Sequence, residues 1–168
     1  MFAIGDTVMH PSEGVCNVEN VTPMRFAGMP PRDYYVLKPA MEKASNLVYM
    51  PVERGDAVLR RLLSRRDIVE LIDRSKTVEN FFIEDSRMRK DAFQKILSSC
   101  DYARIIRMIV LLHEERERRV ASGRKPCASD EALLAQAERL LHQEFSYVLH
   151  MNPEETVAFI REELEKAE

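Results

Sequence analysis

Residues 4–21 read IGDTVMHPSEGVCNVENV, and this pattern predicts two strands joined by a tight turn. Residues 7–9 are β-compatible, residues 11–14 (PSEG) are dense in turn formers, and residues 15–21 alternate imperfectly in the manner of a strand. A two-stranded hairpin is marginally stable in water, so more strands must complete a sheet. This hairpin therefore decides the fold of the N-terminal part.

Three later segments have the composition of strands. They are residues 33–39 (DYYVLKP), 46–51 (NLVYMP) and 58–63 (VLRRLL), the last of which could also lead into a helix. Residues 24–32 are predicted to be a strand end and a loop, because a glycine and two prolines interrupt them. Five short strands with close turns indicate a small, strongly curved sheet or barrel.

The composition changes after residue 63, where apolar residues begin to recur with a helical period. Five helices are predicted, and their expected caps are Ser64, Ser86, Asp101, Ser129 and Asn152. An irregular link over residues 75–85 contains Phe81 and Phe82, and residues 53–56 are predicted to be a short linker. The fold class is therefore α+β, with a β module over residues 1–60 and an all-helical domain over residues 61–168.

The composition excludes several classes of protein. The three cysteines are widely separated, which fits a reducing cytoplasm better than a disulfide framework. No apolar run is long enough for a membrane span, and no signal peptide begins the chain. Nucleophile elbows, phosphate-binding loops and metal-ligand spacings are also absent from the sequence. We expect a cytoplasmic monomer that is not an enzyme and uses no metal or cofactor.

The charge is unevenly distributed along the chain, whose formal net charge is −3. Residues 75–125 hold 12 basic and 8 acidic side chains, a net charge of +4. Residues 126–168 hold 3 basic and 10 acidic side chains, a net charge of −7. A local basic face can bind phosphates even in an acidic chain, although solvated helix faces explain the same pattern.

The order of these pieces resembles the CarD/CdnL family of bacterial transcription regulators. The resemblance rests on the residues Ile4, Gly5, Asp6, Val8, Pro11, Gly14 and Val18, followed by Tyr35, Val36, Leu37 and Lys38. The related module of the transcription-repair coupling factor shares this opening. The resemblance implies a Tudor-like β module that docks on the β subunit of RNA polymerase. It also implies a helical domain that contacts promoter DNA and stabilises or retunes the open complex, with the protein near the nucleoid through polymerase.

The resemblance assigns polymerase-binding positions to two regions of the β module. These positions are Met24, Arg25 and Phe26, and Tyr49, Met50 and Pro51. Tyr49 stands where some family members carry an arginine, so it either anchors the partner or packs on the sheet.

The resemblance assigns DNA-binding positions to the helical domain. They are Asp85, Ser86, Arg87, Arg89 and Lys90. The charge distribution adds Arg124 and Lys125 as further basic residues that could contact phosphates. Family members commonly place a tryptophan wedge where this chain has Asp85, and the chain contains no tryptophan. DNA binding would then rest on weak phosphate contacts. Phe81 or Phe82 could replace the wedge or belong to the core. The alternative function is a protein-interaction module that has lost the DNA wedge.

Overall fold

The computed structural model describes residues 1–25, 30–40 and 46–166. The chain divides into two compact units, Met1–Leu63 and Ser64–Glu168. The first contains a five-stranded antiparallel sheet and the second contains helices. This arrangement confirms the predicted α+β class.

The sheet of the first unit has the strand order β4-β3-β2-β1-β5. Its strands are β1 (Thr7–His10), β2 (Gly14–Met24), β3 (Arg32–Pro39), β4 (Val48–Pro51) and β5 (Arg60–Arg61). The predicted hairpin is confirmed, because β1 pairs with β2 from Thr7↔Asn17 to His10↔Gly14. A register shift between Val18 and Asn20 marks a bulge in β2, and bulges bend a strand and increase its twist.

The turn of this hairpin is held by the side chain of His10. This side chain is buried, and its Nδ1 accepts hydrogen bonds from the backbone N–H groups of Ser12 and Glu13, at 3.2 and 3.1 Å. Burial lowers the pKa of His10 from its ordinary value of 6.5, and Arg54 lowers it further while Glu13 opposes them. The neutral imidazole is therefore the form that fits the fold, because a protonated Nδ1 cannot accept these bonds.

A short helix, α1 (Val52–Val58), packs on the sheet where the sequence predicted a linker. The prediction over residues 53–56 is wrong. Gly55 lies so close to Tyr35 of β3 that a Cβ atom there would come within 2.6 Å of Cδ2 of the ring. The Tyr35 hydroxyl donates to Asp56 Oδ1 at 2.6 Å and accepts from the N–H of Phe2 at 2.8 Å. The sequence did not predict this helix, because it has only seven residues and contains a glycine, which is a poor helix former. The same glycine allows the helix to approach the sheet closely.

The second unit contains the five helices that the sequence predicted. They are α2 (Arg65–Thr77), α3 (Ser86–Ser99), α4 (Tyr102–Ala121), α5 (Ala128–Leu149) and α6 (Pro153–Glu165). Ser64, Asp101 and Asn152 are N-caps as predicted, and Ser64 and Asn152 form capping boxes. Two predicted caps are wrong. The N-cap of α3 is Asp85 rather than Ser86, and α5 begins one residue after Cys127 rather than at Ser129.

The helical unit buries a set of large apolar side chains. Phe93, Ile105, Met108 and Phe145 are each fully buried within it. Helices α3 and α5 both end at a residue with a left-handed backbone, Cys100 with φ of 54° and His150 with φ of 55°. None of the helices over the described ranges is long and apolar enough to cross a lipid bilayer.

Candidate functional site

The β4 strand forms one edge of the sheet and carries three of the predicted polymerase-binding residues. Within the described part of the chain it pairs with β3 alone, in a register that places Tyr49 opposite Val36 and Met50 opposite Tyr35. Tyr49 is 47% exposed, Met50 is buried in the sheet core, and Pro51 is half-buried. Because side chains alternate between the faces of a strand, Tyr49 is the member of this set that a partner could contact extensively.

Met24 and Arg25 lie at the same end of the sheet as Pro51. Met24 is the last residue of β2 and pairs with Arg32, while Pro51 pairs with Tyr34, two residues further along β3. Two spacings of about 4.8 Å across the sheet and two residues of about 3.3 Å along β3 place Met24 and Pro51 about 12 Å apart. Arg25 is exposed and Met24 is half-buried. The structure therefore brings the two predicted groups together, apart from Phe26, which lies outside the described residues.

The start of α3 shows why an aspartate occupies the position expected for a wedge. Asp85 Oδ1 accepts a hydrogen bond from the Met88 N–H at 2.8 Å and so caps the helix. Ser86 is the first residue of the helix and is exposed. An aspartate cap also stabilises the positive end of the helix dipole. The side chain at residue 85 is therefore used to begin a helix.

The three basic residues that follow have different environments. Arg87 and Lys90 are exposed, whereas Arg89 is only 1% exposed. The Arg89 guanidinium donates to both carboxylate oxygens of Asp130, at 3.0 and 2.6 Å. The structure corrects the prediction for Arg89, because a buried guanidinium with occupied donors cannot reach a phosphate in solvent.

Arg89 instead joins three segments of the helical unit. Besides Asp130 near the start of α5, it donates to the carbonyl oxygens of Ile83 and Glu84 in the link before α3. Its guanidinium also lies over the Phe82 ring, 4.7 Å from the centroid. Burial opposes the charge on Arg89, but hydrogen bonds and attraction from Asp130 outweigh it and raise its pKa. Arg89 is therefore a charged structural residue.

Phe81 and Phe82 are both half-buried and have packing partners within the helical unit. Phe81 makes an edge-to-face contact with the buried Phe93, at a centroid separation of 5.7 Å. Phe82 lies under Arg89. These contacts favour the interpretation of both rings as packing residues over that of a replacement wedge.

Arg124 and Lys125 follow α4 and lie at the same end of the helical unit as the start of α3. Salt bridges connect the segments there: Arg118 of α4 contacts Glu84 at 3.1 Å, and Arg116 contacts Glu131 of α5 at 3.6 Å. Arg124 and Lys125 are exposed. Arg124 and Lys125 therefore lie at the same end as Arg87 and Lys90, although Lys90 and Arg124 are 34 positions apart in the sequence. We call these four residues the basic end.

Sequence reasoning missed the role of Asp130. Asp130 is buried and forms an ion pair with Arg89. Neighbouring Cys127, the N-cap of α5, was also missed as a polar contact. Hydrogen bonds from the Ser129 side chain and from nearby backbone lower the Cys127 pKa against the effect of burial. No spacing rule connects residues 41 positions apart, so the pattern held no signal for the Arg89–Asp130 pair.

Comparison with known protein families concerns the sheet unit. Residues 2–63 match the family model of the CarD-like/TRCF RID domain. CarD-like RID domains are protein-interaction domains that bind RNA polymerase. The match ends at the last residue of the sheet unit. It therefore includes the five described strands of this unit and none of helices α2 to α6. A search of curated proteins found no match to the chain.

Proposed function

We propose that this protein is a transcription regulator that binds the β subunit of RNA polymerase through its sheet unit and modulates open-complex stability through weak DNA contacts. The observation that carries the proposal is the RID-domain match over residues 2–63. The exposed edge of β4 supports it, because a sheet edge can pair with an extended strand of a partner. Tyr49 supplies an exposed aromatic anchor beside that edge.

The polymerase contact can be tested with the full chain and the purified lobe of the β subunit. We expect Tyr49→Ala and Arg25→Glu each to weaken binding about tenfold, as for an anchor residue and a charge reversal at the contact. Arg61→Glu is the matched control, because it reverses an exposed charge on β5, at the opposite edge of the sheet. Biolayer interferometry measures all four proteins. Absence of binding by the unmodified chain, or equal loss from Arg61→Glu, would contradict the proposal.

The proposed DNA contact uses the basic end alone. Arg87, Lys90, Arg124 and Lys125 are exposed and would contact phosphates, which carry no sequence information. Each contact lowers the logarithm of affinity by about 0.9 per unit of log salt concentration, so two or three contacts give a slope of about −2 to −3. Fluorescence anisotropy on a forked and a fully paired promoter fragment measures the slope. Arg87→Ala with Lys90→Ala should weaken binding to both fragments about equally.

Asp85 is the residue that distinguishes the second candidate function, an interaction module without a DNA wedge. The chain has no tryptophan, and Asp85 is engaged as a helix cap. If DNA binding rests on phosphate contacts alone, Asp85→Trp should strengthen binding to the forked fragment much more than to the paired fragment. Unpaired bases lower the free-energy cost of inserting an aromatic ring. If the unmodified chain already prefers the fork and Phe82→Ala removes that preference, Phe82 is the wedge. If polymerase binds but neither DNA fragment does, the second candidate is favoured.

A further inference from the structure

An open groove lies along one side of α3, beside the link that precedes the helix. Its volume is about 590 Å³. Phe81 and Ile83 of the link and Met88, Ala92 and Ile96 of α3 form its apolar lining. We call this surface the α3 groove. Its volume is in the range of sites that bind small molecules or short peptide segments.

The α3 groove follows the side of the helix that faces away from Lys90. Met88, Ala92, Lys95 and Ser99 recur at helical spacing and line it, and a second depression continues the surface past Gln94. The span from Met88 to Ser99 is about 17 Å, or three helical turns. At about 100° per residue, Lys90 points almost directly away from Met88 and Ala92, whereas Arg87 lies on the side of Gln94, about 100° from Met88.

Met88 is the most exposed large apolar side chain of the helical unit. It is 63% exposed, although its neighbours in the groove, Phe81 and Ile83, are half-buried. A flexible, polarizable methionine at the mouth of an apolar groove is typical of surfaces that adapt to peptide partners. The position is therefore suited to contact an apolar side chain from outside.

The polar rim of the groove gives the sign of the partner's charge. Lys95 and Arg104 both line it, and neither forms a salt bridge with any residue that the structure describes. Arg104 lies over the Phe81 ring, 5.3 Å from the centroid, which holds its charge above the apolar lining. By contrast, Arg116, Arg118 and Arg119 at the end of α4 all have carboxylate partners. Asp91 is the one acidic side chain of the lining.

We propose that the α3 groove binds a short acidic amphipathic segment of a partner protein. Its apolar side chains would pack on Phe81 and Met88, and its carboxylates would pair with Lys95 and Arg104. The groove length fits about three turns of a helix. A nucleic-acid backbone fits less well, because its phosphates would cover the apolar lining without apolar side chains to pack on it. This inference goes beyond the proposed function, since it requires neither the sheet unit nor promoter DNA.

The first test is titration of the full chain against a fluorescein-labelled synthetic peptide. The probe spans about three helical turns, with Leu and Phe at i, i+4 and i+7 and Glu between them. Lys95→Glu should weaken binding about fivefold or more, because it places a carboxylate among the carboxylates of the probe. Arg139→Glu is the matched control, with the same charge change at an exposed position of α5, and should leave affinity within about twofold. Equal effects of the two variants would overturn the proposal.

The second test locates the probe on the protein. In methyl NMR of chain labelled at methionine, the Met88 methyl signal should shift on titration, while that of Met108, which is fully buried, should not. A probe with Lys in place of Glu should bind at least about fivefold more weakly. The proposal fails if Met88 does not respond, or if the charge-reversed probe binds equally well. Duplex and single-stranded DNA are titrated in the same way. If DNA shifts the Met88 signal and the unlabelled acidic peptide does not displace that DNA, the groove binds nucleic acid and the proposal fails.

Discussion

Arg89 is the residue whose environment departs most from its sequence context. It stands between Arg87 and Lys90, which are exposed, yet it forms a buried ion pair with Asp130. We expect Arg89→Met and Asp130→Asn each to lower the free energy of unfolding by about 3–5 kcal/mol, because each leaves a buried charged or polar partner uncompensated. Urea denaturation followed by circular dichroism measures the loss.

Arg87→Met is the matched control for this prediction. It removes the same charge from the same helix at an exposed position and should change stability by less than about 0.5 kcal/mol. If instead Arg89→Met unfolds no more readily than the control and loses DNA affinity, Arg89 would be a phosphate contact after all.

His10 makes the stability of the sheet unit depend on pH. Its folded-state pKa lies below the ordinary value of 6.5, so the unfolded chain takes up a proton more readily than the folded chain. The contribution of His10 is therefore complete above about pH 7.5 and is lost as the pH falls below about 6.5 towards the lower folded-state pKa. Urea midpoints measured at about pH 7.5 and 5.5 should show this decrease.

His10→Asn should weaken the pH dependence, because the amide oxygen of asparagine accepts the same turn N–H bonds without titrating. His150→Asn is the matched control, an identical change at an exposed histidine in the helical unit. A pH dependence that His10→Asn leaves intact, or that His150→Asn abolishes, would place its origin elsewhere.

Sequence reasoning located the basic end only in part. The exposure of Arg87, Lys90, Arg124 and Lys125 agrees with the expectation of a charged face. Charge counting cannot distinguish Arg89 from its neighbours, since the distinction depends on Asp130, which is distant in sequence and near in space. For Phe81 and Phe82 the sequence left a wedge and a packing role open, and their contacts with Phe93 and Arg89 favour packing.

Among the elements, α1 depends on a single glycine. In an isolated helix, alanine in place of glycine stabilises by about 1 kcal/mol. At Gly55 the added Cβ would meet the Tyr35 ring at 2.6 Å, so α1 and β3 must separate. We expect Gly55→Ala to lower the free energy of unfolding of the sheet unit by about 1–3 kcal/mol.

Thermal unfolding followed by near-ultraviolet circular dichroism of the tyrosines measures this loss. Glu53→Ala, at an exposed position of the same helix, is the control and should change stability by less than about 0.5 kcal/mol. An increase in stability with Gly55→Ala would show that helix propensity outweighs the contact.

The larger elements were predictable because their signals are local. Turn formers at residues 11–14 predicted the first hairpin, and the Asn152-Pro153 start predicted α6 correctly. The helix α1 was missed because seven residues span only two turns, too few for a periodic pattern. The α3 cap was placed one residue late, because serine and aspartate are both good caps and stand side by side.

At the scale of the whole molecule, the proposed polymerase-binding edge and the basic end belong to different compact units. Substitutions in one should therefore leave the other intact. We expect Tyr49→Ala to weaken binding to the polymerase lobe without changing DNA affinity measured in its absence. Arg87→Ala with Lys90→Ala should show the reverse pattern.

Parallel titrations of the same protein preparations, with the polymerase lobe and with the forked fragment, measure both affinities. Loss of both activities from either set of substitutions would mean that the surfaces act as one. With whole polymerase on promoter DNA, both sets should change the lifetime of the open complex in the same direction, because tethering by one contact raises the effective concentration of the other.

The stability of the chain can be increased by substitutions at the left-handed ends of α3 and α5. Each terminal position strains a residue that has a Cβ, at a cost of about 1 kcal/mol, where glycine would adopt the same backbone freely. Replacing Cys100 would also remove an exposed thiol, which air oxidation can crosslink between molecules during storage. The first helix boundary to redesign for a long-lived laboratory reagent is therefore the one at Cys100.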